Sequence, residues 1–137
     1  MRVIITFCIT LILLVSCTND VTIDQQWLED NYTKREVMIP MRDGIKLYTS
    51  IYEPDDASER PVLIVRTPYS CAPYGYGWKG DLIEYMQEFL KNLYVIAFQD
   101  VRGRYMSEGQ YVNVRPYNPH KSDNETDEAA DTYDTIE

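Results

Sequence analysis

Apolar residues fall in runs, in alternation and at helical spacing along this chain, and each pattern marks a different element. Glu36 to Pro40 is a short apolar run, and Ile45 to Tyr52 alternates Ile45, Leu47, Thr49 and Ile51 on one side. Asp43-Gly44 between them signals a hairpin, because glycine accepts positive φ without penalty. Pro54 to Ser58 reads as an exposed turn. Pro61 to Arg66 is a continuous apolar run, which suits a strand buried on both faces. A loop rich in Gly, Pro and Tyr follows from Thr67 to Gly80. Asp81 can then cap a helix whose apolar positions, Leu82, Tyr85, Met86, Phe89 and Leu90, repeat with a 3.6-residue period. Leu93 to Phe98 is a further buried strand, and Gln99 to Lys121 a long loop. Ser122-Asp123-Asn124-Glu125 has the spacing of a capping box, after which Ala129, Ala130, Tyr133 and Ile136 mark a second amphipathic helix. The order hairpin, strand, helix, strand, helix predicts βαβ units and a mainly parallel α/β sheet with flanking helices.

The first residues carry an address. Met1-Arg2 supplies one positive charge, and Val3 to Val15 is apolar apart from Thr6 and Thr10. That length suits a signal-peptide core and falls short of the roughly 20 residues that span a bilayer as a helix. Leu14-Val15-Ser16-Cys17 resembles the lipobox of bacterial lipoproteins, in which cleavage precedes a Cys that becomes acylated. An ordinary secretory signal with an incidental Cys is the alternative. The expected organisation is a signal peptide at 1–17 with lipidation at Cys17, a polar tether at 18–35, and a folded part at 36–137. The expected location is the bacterial cell envelope, at a membrane held through the lipid anchor.

Composition narrows the class. Of 137 residues, 13 are Lys or Arg and 22 Asp or Glu, a net charge of -9, with 45% hydrophobic residues. These values fit an ordinary globular domain, and the acidic balance argues against nucleic acid as a partner. Of three Cys, Cys8 leaves with the signal and Cys17 is taken by lipid. Cys71 is then alone, and no internal disulfide is possible. Acidic residues crowd the C-terminal stretch (Asp123, Glu125, Asp127, Glu128, Asp131, Asp134, Glu137), where those in the first helical turns complement the helix dipole. No calcium-loop pattern accompanies them, and no metal or cofactor is expected.

Four ordered blocks carry a family resemblance: Val37 to Pro54; Val65-Arg66-Thr67-Pro68-Tyr69; Phe98 to Arg104 with Ser107-Glu108-Gly109; and Asp127-Glu128 with Asp131 to Glu137. Together they resemble the N-terminal part of the Xaa-Pro dipeptidyl-peptidase-like α/β-hydrolases, a group that includes cocaine esterase, glutaryl-7-aminocephalosporanic acid acylase and the α-amino acid ester hydrolases. The resemblance implies the N-terminal part of an α/β-hydrolase fold, with the chain stopping before the nucleophile elbow. It also implies Ser-His-Asp chemistry on an ester or amide carbonyl, with a backbone N–H and a Tyr hydroxyl holding the oxyanion. By its motif Tyr69 matches that Tyr. The residue pattern agrees on location, since Tyr69 lies just past the carboxyl end of a buried parallel strand, where α/β sheets hold ligands. A Tyr packed in its loop is the alternative.

The nucleophile, acid and base are not found in this chain. No Gly-x-Ser-x-Gly occurs, and Tyr105-Met106-Ser107-Glu108-Gly109 has Tyr where the elbow needs its first Gly. His120 is the only His and precedes any nucleophile, against the Ser, acid, His order of this fold. Cys71 has no local base to activate it. Arg102 and Arg104 read first as ties between loops and second as carboxylate binders. Tyr74, Tyr76 and Trp78 are candidate walls of a substrate pocket beside Tyr69, or a packed surface loop.

The expected function is therefore the N-terminal part of a lipid-anchored serine hydrolase or peptidase, inactive alone, acting on small ester, amide or peptide substrates once complete. A separately encoded C-terminal half is a possible partner. The alternative is a non-enzymatic envelope lipoprotein or binding module on a remnant hydrolase fold.

Overall fold

The computed structural model describes residues 21–56 and 58–137, so the signal-peptide and Cys17 expectations lie outside the described residues. Its elements are α1 (Gln25–Asn31), β1 (Tyr32–Pro40), β2 (Lys46–Pro54), β3 (Val62–Thr67), α2 (Gly80–Tyr85), α3 (Gln87–Lys91), β4 (Val95–Asp100) and α4 (Glu128–Ile136). The four strands form one mixed sheet in the order β1-β2-β4-β3. β1 and β2 are the expected hairpin, turning at Gly44 with φ of 84°. β2 pairs antiparallel with β4, and β3 pairs parallel with β4 in register from Val62↔Val95 to Thr67↔Asp100. The β3–α2–α3–β4 passage is the βαβ unit that the pattern predicts.

The two faces of the sheet are covered differently. Tyr48 and Tyr52 of β2, Ile96 and Phe98 of β4 and Val65 of β3 share one face, packed with Leu28, Tyr32, Leu82, Leu90 and Cys71. Tyr52 meets Phe98 edge-on at 6.0 Å and Trp78 at 5.6 Å between ring centroids. The opposite face carries Thr49, Gln99 and Arg66 beneath α4, where Gln99 donates to Thr49 Oγ1 (3.0 Å) and Thr135 Oγ1 (2.9 Å). Two buried faces explain why Leu47 to Ser50 is buried without interruption, whereas alternation implied one apolar side.

Several expectations need correction. The described part of the 18–35 tether is folded. Asp24 caps α1 by accepting the Trp27 N–H (2.8 Å), and Ile23, Leu28 and Tyr32 all lie in the core. The apolar signal there was too sparse to show a period, yet the Tyr32 hydroxyl reaches the Leu90 and Tyr94 carbonyls at 3.2 and 3.0 Å. Asp81 does not cap its helix. Lys79 holds the cap position without a side-chain bond, Asp81 pairs with the Lys79 ammonium, and the helix breaks at Met86. β3 is half-exposed because it is an edge strand among the described residues. The box at Ser122–Glu125 closes only a turn, and α4 starts later, capped by Asp127. Most unexpectedly, α4 packs with its polar side inward: Asp131 is fully buried while Tyr133 and Ile136 are exposed.

Candidate functional site

The carboxyl ends of parallel β3 and β4 define the candidate site. Tyr69 stands two residues past β3, its side chain projecting into solvent at 83% exposure, while the loop beneath it is held from several sides. Its N–H donates to Thr67 Oγ1 (3.0 Å), and the preceding Pro68 carbonyl accepts from Arg104 Nε (3.0 Å). Ser70 follows in the left-handed region at φ 90°, a conformation that costs a residue with a Cβ roughly 1–3 kcal/mol unless its surroundings impose it. Those surroundings converge on Asp100, the last residue of β4.

Asp100 is fully buried. Its carboxylate accepts the Cys71 N–H (2.8 Å), the Tyr74 hydroxyl (2.9 Å) and the Met106 N–H (3.3 Å). With its own proton given to Asp100, the Tyr74 hydroxyl accepts from Ser70 Oγ (2.9 Å), which in turn accepts the Ala72 N–H (3.0 Å). Burial first, and then the neighbouring carboxylate, push the Tyr74 phenol up to about 12. This chain of bonds fixes the loop on the C-terminal side of Tyr69. The pattern reading missed Asp100 because it fell in a presumed loop. The available signal was one acidic residue directly after a buried strand, at the edge where the Tyr69 loop begins.

The half-buried Tyr74 ring also meets Tyr48 edge-on at 5.1 Å. Tyr76 is fully exposed, and Trp78 packs on Tyr52. These two line a shallow hollow with Lys34, Glu36, Gly75 and Gly77, apart from Tyr69 and Tyr74.

The other candidates resolve on geometry. Ser107 is buried, donates to the Asp100 carbonyl (2.6 Å) and accepts the Tyr48 N–H (2.9 Å), so it stitches β2 to the turn after β4. Cys71 is fully buried, and burial and the nearby Asp100 push its thiol well up, away from a reactive thiolate. His120 sits exposed on the long loop, its backbone N–H bonded to Asn118. Arg102 is a tie: it forks onto Asp43 (2.6 Å) and Asp131 (2.6 Å) with its side chain 6% exposed. Arg104 holds Pro68 and lies over the Tyr105 and Tyr111 rings.

Asp131 gathers three arginines, with Arg115 at 2.6 Å and Arg66 at 3.6 Å besides Arg102. Burial alone would raise its carboxyl, but hydrogen bonds and charge from Arg102 and Arg115 outweigh that and hold it low. Asp134 grips Arg42 at 2.6 Å, and Glu128 pairs with Arg66 and Arg115. Of the acidic cluster, Glu128, Asp131 and Asp134 bind α4 to the sheet and the loops and Asp127 caps the helix, while Asp123, Glu125 and Glu137 lie exposed outside it.

The segment from the Asp43-Gly44 turn through α4 is the part of the chain that a known family matches. The family model of X-Pro dipeptidyl-peptidase (S15 family) matches residues 43–137, from that turn through α4. The chain belongs to this family. Over 110 residues it is 36% identical to the cocaine esterase of Rhodococcus sp. (strain MB1 Bresler), covering 80% of this chain and 17% of that protein. The solved aminopeptidase from the marine sediment archaeon Thaumarchaeota archaeon is 38% identical with a TM-score of 0.65, over 77% of this chain and 18% of its own. A solved α-amino acid ester hydrolase is 36% identical with a TM-score of 0.67, over 93% of this chain and 21% of its own. The S15 chain thus has the architecture of the N-terminal region of an α/β-hydrolase, and spans about a fifth of the length of these relatives.

Proposed function

We propose that residues 21–137 supply the oxyanion-binding edge of a serine hydrolase that cleaves an ester or amide next to a small acyl or aminoacyl unit. One observation carries this reading: Tyr69, exposed on a pinned loop at the carboxyl end of a parallel strand, within a chain of the S15 family. A phenol there donates a hydrogen bond to the negative charge that develops on an attacked carbonyl oxygen. The nucleophile, acid and base come from outside residues 1–137, in the same reading frame or on a second chain. The absence of a Gly-x-Ser-x-Gly motif and the short span relative to the relatives support this. By itself residues 1–137 are inactive. Residues 1–17 export the chain, and acylated Cys17 holds it at the cell envelope.

The test is kinetic. In the full gene product carrying this chain, Tyr69→Phe lowers kcat for p-nitrophenyl butyrate by roughly 10²–10³, the usual loss of one oxyanion donor, with KM little changed. An unchanged kcat sinks the assignment. If the locus encodes no Ser-bearing segment and no Ser-bearing partner co-purifies, the non-enzymatic lipoprotein reading replaces it. The anchor is tested separately: labelled palmitate enters the unaltered protein and not Cys17→Ala, and equal labelling of both refutes the lipid.

A further inference from the structure

We propose that Asp100 is a positioning residue for Tyr69, acting through the Cys71 N–H and the Tyr74–Ser70 hydroxyl pair. This rests on Tyr69 being the oxyanion donor. The loop from Pro68 to Tyr74 has no regular secondary structure to hold it, and Tyr69 itself makes no side-chain hydrogen bond among the described residues. Its direction is therefore set by its neighbours. On one side, Thr67 Oγ1 and Arg104 fix the Tyr69 N–H and the Pro68 carbonyl. On the other, Ser70 occupies φ 90°, its hydroxyl accepts the Ala72 N–H and is tied through the Tyr74 hydroxyl to the Asp100 carboxylate, while Lys79 Nζ donates to its carbonyl at 3.4 Å. That carboxylate is fully buried at the end of β4, where Asp100 pairs with Thr67 of β3. An oxyanion donor must be aimed before charge develops, since reorganisation during the reaction cancels much of its benefit. A buried anion with three donors converging on it supplies that aim from beneath, without touching the substrate.

The prediction separates positioning from mere folding. Asp100→Asn keeps the shape but puts an NH2 against one of its N–H or O–H donors. Tyr74→Phe removes one bond and leaves the carboxylate buried, so it carries the test if Asp100→Asn does not fold. In the full gene product, with p-nitrophenyl butyrate as substrate, each variant lowers kcat about tenfold and leaves KM within about twofold. In a Tyr69→Phe background the same substitutions cause no further loss, because the donor they aim is gone. Folded variants with wild-type kcat overturn the proposal, as does a loss of equal size with and without Tyr69. Inactivity of the unaltered protein, or a Tyr69→Phe variant with unchanged kcat, refutes the oxyanion reading and this inference with it. A Tyr69→Phe loss without an Asp100 or Tyr74 effect refutes this inference alone.

Discussion

Asp131 shows how a single side chain can decide where a helix sits. Fully buried and bonded to Arg102 and Arg115, with Arg66 close by, it binds α4 to β3 and to the loops at the carboxyl end of the sheet. Replacing it with Asn removes the carboxylate the three arginines share, while Arg102 keeps Asp43 and Arg66 and Arg115 keep Glu128, a loss of about 1–3 kcal/mol that urea unfolding measures. The pH dependence follows from the same bonds. The folded carboxyl is held below its ordinary 3.8, so its stabilisation is complete above that value and fades as pH falls through the lower folded value. Acid unfolding below pH 3.8 is therefore shallower in Asp131→Asn than in the unaltered chain. Ser107→Ala gives a second residue-level result. It orphans the buried Tyr48 N–H and costs roughly 1–3 kcal/mol in thermal or urea unfolding. Arg102 was legible in the sequence as a tie, since a guanidinium fork beside a turn favours carboxylates. Asp131 was not, because its partners lie as far back as Arg66 and nothing local points to them.

Among the elements, the hairpin and the βαβ unit were readable because their signals are local: a Gly at a turn, an apolar run, a helical period. α4 was readable as a helix but not in its start or its buried side. A capping pattern at Ser122 competed with the better cap at Asp127, and the sheet beneath α4 offers arginine and amide groups where an apolar floor was assumed. The edges of the sheet contrast with each other. β1 carries Lys34, Arg35 and Glu36 along its length, a common defence against edge-to-edge pairing. β3 presents Val62-Leu63-Ile64-Val65 with no charge until Arg66, and Val62 is 57% exposed. Residues 21–137 alone should self-associate through β3, and Val62→Lys should shift the population toward monomer in light scattering. Association that is indifferent to Val62→Lys places the contact elsewhere.

For the molecule as a whole, the apolar face of the sheet is closed by residues of α1 and the very start of β1. Leu28 and Tyr32 sit beside Leu90 and the other core residues from α2 to β4, so the chain's start completes a core whose other parts lie some sixty positions later. Leu28→Ala should cost about 2–5 kcal/mol, the range for removing a fully buried Leu. A chain beginning at Glu36 should lose its cooperative thermal transition, whereas an inert linker would leave that transition unchanged. The oxyanion role proposed for Tyr69 was legible only through the family motif. The carboxylate under its loop became visible once β3 and β4 were seen side by side.

The burial of Ile23 also sets a length. Five residues separate Cys17 from Ile23 in the sequence, and a fully extended chain covers about 20 Å over those six steps. Were Cys17 acylated as proposed, that span would hold the buried Ile23 within about 20 Å of the lipid. The fold would then rest against the bilayer and meet the molecules that come to the lipid surface.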